Sequence, residues 1–193
     1  MNRVMTFSRG LIHRIRYLGI FLCCVSLPVL ASNDLSQQHR VKMAFVFNIA
    51  KFVTWPNNEN RTPDDEFVLC FYQYNMLGNA FDGVKGRKVD GREIRGLVVN
   101  TYQDVAPCHI LLSTQEHQQQ LFLESQQYHS KALPLLSIAD MTSADHHTKL
   151  HESVHIGLVK KGSRIGLEVN LQPVIDANLK ISSQLLKLAK VVQ

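Results

Sequence analysis

The sequence lacks an apolar segment long enough to span a membrane. Its longest apolar run, Tyr17 to Leu30, has 14 residues, whereas a spanning helix needs about 20. The run follows a basic leader and ends at Val29-Leu30-Ala31, with small residues at the −3 and −1 positions of a cleavage site. These are the three parts of a secretory signal. We therefore predict that residues 1–31 are a cleaved signal peptide and that residues 32–193 form one exported domain.

The sequence also has little net charge once this leader is removed. The whole chain has 21 Lys and Arg against 16 Asp and Glu, a net charge of +5. Four Arg belong to residues 1–31, which leaves 17 basic and 16 acidic residues and a net charge of +1. A nucleic-acid-binding domain needs a clustered basic face. This balance offers no support for one, and we expect no nucleic acid partner.

Cysteine is scarce. Two of the four cysteines, Cys23 and Cys24, lie in the predicted signal peptide, which leaves Cys70 and Cys108. Each lies in or beside an apolar, strand-like run. In an oxidising compartment such a pair favours one disulfide, which would stabilise the fold by roughly 2–4 kcal/mol. Two buried thiols are the alternative.

Sequence motifs of enzymes are missing. There is no GxSxG elbow of a serine hydrolase, and the glycines from Gly83 to Gly96 match neither GxGxxG nor a P-loop. With the two cysteines bonded to each other, a cysteine nucleophile is also disfavoured. We predict no catalytic residue and no cofactor.

Four histidines occur late in the chain: His146, His147, His151 and His155. If residues 147–155 were helical, three of them would share a face with a spacing suited to zinc or copper. The strand pattern of Val154–Lys160 would interrupt that face. A solvated polar loop without a metal is the favoured interpretation.

Apolar periodicity predicts an α/β fold. The residues from Ser36 to Trp55 have one apolar face, typical of a helix that packs on a sheet, and Trp55-Pro56 should end it. Further helices are predicted over Met76–Val84, Thr114–His129 and the segment after Pro173, with a helix or loop over Ala139–His147. The predicted strands are Phe67–Tyr72, Ile94–Thr101, His109–Ser113, Leu133–Ile138, Val154–Lys160 and Arg164–Asn170.

The last two strands should form a hairpin at Lys161-Gly162-Ser163. The order of elements predicts a single-domain α/β fold with a mixed β-sheet flanked by helices, a C-terminal β-hairpin and a terminal helix.

Two segments are distinctive. Residues 42–56 read KMAFVFNIAKFVTWP, and residues 165–171 read IGLEVNL, followed by LKISSQLLKLA at 179–189. Together with FVLC at 67–70 and CHIL at 108–111, they closely resemble the YfiR family of periplasmic regulators. The resemblance covers residues 40–192.

The resemblance implies a periplasmic protein that is not an enzyme. YfiR-like proteins look like repressors that bind the periplasmic sensor region of an inner-membrane diguanylate cyclase, which lowers cyclic di-GMP and biofilm formation. An OmpA-like lipoprotein is expected to sequester the repressor, a homodimer is expected, and the Cys70–Cys108 disulfide should support the fold. Some relatives carry a second cysteine pair late in the chain, which is absent here, so redox control through it is not expected.

Every second residue of the second hairpin strand is apolar: Ile165, Leu167 and Val169. Because side chains alternate between the faces of a strand, we expect this set to pack inward. The charged residues Lys160, Arg164 and Glu168 would then contact the cyclase. A solvated strand face is the alternative for these residues, and a periplasmic small-molecule-binding sensor module is the alternative function.

Overall fold

The computed structural model of the chain describes residues 32–56, 66–73, 80–128, 133–145 and 147–192. Residues 36–193 form one unit and residues 1–35 another, of which residues 32–35 are described. The predicted signal peptide lies outside the described residues, as does the first half of the helix predicted over Met76–Val84.

The described residues form ten strands. Two of them, β1 (Val53–Thr54) and β9 (Lys180–Ile181), make a separate antiparallel pair. The other eight are β2 (Phe67–Tyr72), β3 (Lys88–Val89), β4 (Arg92–Val99), β5 (Ile110–Thr114), β6 (Leu136–Met141), β7 (Ile156–Lys161), β8 (Arg164–Asn170) and β10 (Ala189–Val192). They form one mixed sheet in the order β10-β8-β7-β6-β5-β2-β4-β3.

The centre of the sheet is parallel. Strands β4, β2, β5, β6 and β7 run in one direction, in the order of flavodoxin-like doubly wound sheets. Strand β8 is antiparallel to β7 and β3 is antiparallel to β4, whereas β10 is parallel to β8. The predicted fold, a mixed sheet with flanking helices and a β7–β8 hairpin, is confirmed.

Within the described ranges, four α-helices accompany the sheet: α1 (Ser32–Ala50), α2 (Gln118–Gln127), α3 (Leu171–Asp176) and α4 (Ser183–Leu188). Helix α1 ends earlier than predicted, because Val53–Thr54 pairs as a strand with β9. Helix α2 begins later than predicted, after a 3-10 turn over Gln115–His117. Between β2 and β3 the described residues contain one helical element, the 3-10 turn Phe81–Gly83.

The C-terminal segment differs most from the prediction. A positive φ of 56° at Asn178 ends the first helical stretch. Helix α4 then starts after Ser182, whose Oγ accepts a hydrogen bond from the Leu185 amide at 3.3 Å, a typical N-cap. After α4 the described residues continue into strand β10, which the sequence did not predict. The strand predicted over Leu133–Ile138 likewise lies further along, at Leu136–Met141, because Ala139 to Met141 are buried.

The sheet has an apolar core on each face. On one face, α1 residues such as Met43 and Val46 pack with the alternate strand residues Leu69, Leu112 and Ile138. The opposite face is covered by α2 and has a smaller cluster: Val68, Cys70, Tyr72, Leu111 and Leu121 with their neighbours. Strand β2 is therefore buried along its whole length, as a central parallel strand must be.

Cys70 and Cys108 form a disulfide on the α2 face. Cys70 lies in the middle of β2 and Cys108 just before β5, with a Cα–Cα distance of 5.7 Å. Both side chains are buried. The bond connects neighbouring strands and closes a loop with a sequence separation of 38.

A buried ion pair fixes α1 to the sheet. The Lys42 ammonium donates to the Asp140 carboxylate at 2.8 Å, and both side chains are less than a tenth exposed. The other Asp140 oxygen accepts from the amide and the hydroxyl of Thr142, at 3.1 and 2.7 Å. Both charges are thus compensated.

We expect the variant Cys70→Ala/Cys108→Ala to fold but to lose about 2–4 kcal/mol of unfolding free energy, because its unfolded chain is no longer cross-linked. Urea unfolding followed by Trp55 fluorescence measures this. Thiol titration of the native protein is the control and should find no free thiol. An unchanged urea midpoint would contradict the expectation.

We expect the variant Lys42→Met to lose about 3–5 kcal/mol of unfolding free energy, because the Asp140 charge stays buried without its partner. The double variant Lys42→Met/Asp140→Leu removes both charges and should recover most of that loss. Urea unfolding of the two variants and the wild type checks this. Equal stability of the single and double variants would show that the pair does not act as a unit.

Candidate functional site

The β7–β8 hairpin carries the residues predicted to contact a partner. Lys161 pairs with Arg164 across a two-residue turn, in which Gly162 has a φ of 61°. A left-handed conformation in such a turn suits glycine. Lys160, Lys161 and Arg164 are all exposed at the tip.

The hairpin does not place the three predicted residues on one face. Lys160 is paired with Ile165, which packs against the core on the α1 side. Arg164 is paired with Lys161, and Glu168 lies on the same side of β8 as Arg164. Arg164 and Glu168 therefore share the face opposite α1, as expected from alternation, whereas Lys160 lies on the other face.

Glu168 is already paired within the domain. Strand β10 places Lys190 beside it, and the two charged groups are 3.1 Å apart. The Glu168 side chain is 17% exposed and that of Lys190 is 64% exposed. A pair of this kind adds little stability. Arg164 is exposed and has no ion pair within the described residues.

The late histidines do not converge. His147 is exposed, and the Nδ1 of His151 lies 2.8 Å from the Ser153 hydroxyl. His155 is buried just before β7, while His146 lies outside the described residues. In the part of the chain that is described, no three His, Cys, Asp or Glu side chains are placed to hold a metal ion.

His155 has a structural role that the sequence did not reveal. Its Nδ1 accepts a hydrogen bond from the Ser137 amide at 3.1 Å, which puts the ring proton on Nε2. Burial lowers the pKa of His155 to about 4, against weaker opposing effects of the Pro173 carbonyl and the Asp176 carboxylate. The ring is therefore neutral near pH 7. The ring accepts the hydrogen bond of a backbone amide, that of Ser137, near the start of β6.

His109 is placed in the same way before β5. Its Nδ1 accepts from the Val68 amide at 3.1 Å, and its ring stacks on Phe67 at 4.6 Å. Trp55 Nε1 donates to the His109 carbonyl at 3.3 Å, and the Arg92 guanidinium lies 2.7 Å from Nε2. The distinctive TWP and CHIL segments thus meet at the amino end of the sheet, where they hold β2 and β5 together.

The buried polar side chains described above bind the domain's own strands and helix. The β7–β8 hairpin carries three exposed basic side chains. The YfiR/HmsC-like family matches residues 39–190, and the chain belongs to this family. The comparison with curated proteins finds no match.

The family consists of periplasmic, non-catalytic regulators of diguanylate cyclase systems. Its match confirms the resemblance drawn from residues 40–192. Within the described ranges, no helix has both the length and the apolar content needed to cross a membrane.

The pKa of His155 predicts a dependence of stability on pH. The folded pKa is about 4 and the reference value is 6.5, so the unfolded state binds more protons between these values. The contribution of His155 is complete above pH 6.5 and is lost as the pH falls towards 4, a change of about 3 kcal/mol.

Urea unfolding from pH 4 to pH 7 measures this change. We expect His155→Gln to flatten the pH dependence and the exposed control His147→Gln to leave it unaltered. Equal slopes for the wild type and His155→Gln would contradict the assignment.

Proposed function

We propose that the protein is exported by the signal at residues 1–31 and represses a diguanylate cyclase by binding its periplasmic sensor region. The observation that carries this proposal is the family match over residues 39–190. Repression lowers cyclic di-GMP and with it biofilm formation. The domain's role is to bind, so a rigid fold and an exposed surface are what it needs.

The switch follows from mass action. Free repressor holds the cyclase in its inactive state because it binds that state preferentially. A second partner that binds the repressor more tightly lowers its free concentration and releases the cyclase. We propose an OmpA-like lipoprotein as that partner and a homodimer as the repressor's form.

We propose the β7–β8 hairpin as the contact surface. Residues 159–165 contain three basic residues and no acidic one, and the basic side chains are exposed. Charge complementarity sets specificity and association rate, so the matching surface of the cyclase should be acidic. Arg164 and Glu168 contribute from one face of the hairpin and Lys160 contributes from the other.

We expect Arg164→Glu to raise cellular cyclic di-GMP towards the level of a strain that lacks the protein, because it places a negative charge before an acidic surface. Cyclic di-GMP is quantified by mass spectrometry in cells that contain the cognate cyclase. Lys85→Glu, an exposed position near β3, is the matched control and should repress normally.

Two outcomes separate the function from the surface. If removal of the protein leaves cyclic di-GMP unchanged, repression itself is wrong. If only Arg164→Glu has no effect, the hairpin surface is wrong. The swap Glu168→Lys/Lys190→Glu keeps a pair of opposite charges but reverses its direction. Normal repression by this stable variant would show that Glu168 does not belong to the surface that contacts the cyclase.

A further inference from the structure

The closing pair of the β7–β8 hairpin places two cations side by side. Lys161 lies directly opposite Arg164, so both side chains belong to the same face of the sheet, the one opposite α1. Like charges in this arrangement destabilise a strand pair. Within the described residues, neither side chain forms an ion pair. The domain itself therefore does not compensate their repulsion.

The acidic residue that shares this face is already bound to another cation. Glu168 lies 3.1 Å from Lys190 of β10, and no ion pair joins it to Lys161 or Arg164 in the part of the chain that is described. These four residues carry three positive charges and one negative charge, a net charge of +2. Lys160 lies on the other face and cannot join them.

The Lys161 side chain lies flat on strand β8 because residue 166 is a glycine. A Cβ added at Gly166 would lie 2.6 Å from Cδ, 2.8 Å from Cε and 3.0 Å from Cγ of Lys161. The aliphatic part of the lysine thus occupies the space that a side chain at position 166 would need. Lys161 remains exposed, so its stem rests on β8 while its ammonium meets solvent.

This placement prepares the two cations for an acidic partner. A lysine side chain loses rotamer entropy when a partner immobilises it, and a stem that already rests on β8 loses less. The guanidinium of Arg164 is a planar fork that matches a carboxylate, and the ammonium of Lys161 adds a point charge on the same face. A carboxylate that binds here compensates both charges.

We propose that Lys161 and Arg164 form a carboxylate-binding pair that contacts an acidic side chain in the periplasmic region of the cyclase. Gly166 is the positioning residue of this pair, because it leaves room for the Lys161 stem. The inference rests on the proposed repression of a diguanylate cyclase and defines the chemistry of its contact surface. It gives a role to two residues, Lys161 and Gly166, that the charge pattern of the sequence did not single out.

The test measures the affinity of the exported protein for the full-length cognate cyclase in nanodiscs of phosphatidylethanolamine and phosphatidylglycerol. Lys161→Met keeps a stem over Gly166 but removes the charge, and we expect it to weaken binding by about fivefold or more, as for an important interface residue. Lys161→Arg should retain binding. The control Lys88→Met changes an exposed lysine of β3, at the other edge of the sheet, and should bind like the wild type.

Gly166→Ala tests the positioning role. Its methyl group displaces the flexible Lys161 stem, so we expect a folded protein whose urea midpoint is not lowered but whose binding is weakened. Gly166→Ala/Lys161→Met should bind like Lys161→Met alone, because both changes act on one contact. The control Gly83→Ala places its Cβ where nothing lies within 4 Å. NMR cross-relaxation between the Lys161 methylenes and the Gly166 α protons checks the stem without the cyclase.

Each contrary outcome overturns a defined part of the proposal. Wild-type affinity of Lys161→Met shows that the pair does not bind the cyclase, whereas failure of the wild-type protein to bind shows that the proposed repression itself is wrong. Additive losses in the double variant, or absence of the cross-relaxation, rule out the role of Gly166. Binding to empty nanodiscs that Lys161→Met weakens equally assigns the pair to anionic lipid and overturns the cyclase contact.

Discussion

The complete burial of strand β2 is the constraint on which the rest of the domain depends. An alternation of polar and apolar residues would have allowed one face to meet solvent, but the sequence FVLCFY requires cover on both. Helix α1 supplies it on one side, and α2 with the disulfide supplies it on the other. The Lys42–Asp140 pair then fixes where α1 lies, since each buried charge needs the other.

Buried parallel strands also need their first amides satisfied, and two histidines do this in the same way. His109 accepts from the start of β2 and His155 from the start of β6. Each ring can do so only while Nδ1 is unprotonated. The fold therefore uses histidine as a fixed acceptor, and the residue type by itself indicated neither a metal nor catalysis.

Local patterns predicted what is locally determined. The apolar run of β2 gave its bounds, and the glycine turn gave the β7–β8 hairpin, including the shared face of Arg164 and Glu168. The two-residue strand β1 was missed because its partner β9 is far along the chain. The burial of His155 was missed for a similar reason, since the polar residues before it suggested a solvated loop, whereas its partners Ser137 and Pro173 come from other segments of the chain.

The pairing of β1 with β9 has a consequence for how the chain reaches its native state. Val53 and Ile181 are paired, so this ladder closes only when nearly the whole polypeptide has emerged from the ribosome or from a translocation channel. Contacts between such distant positions are slow to form because a long loop must be ordered first. Strand β1 is therefore expected to stay unpaired until β9 has been synthesised. Until Lys180 and Ile181 are available, the backbone edge of Val53–Thr54 is left without its strand partner.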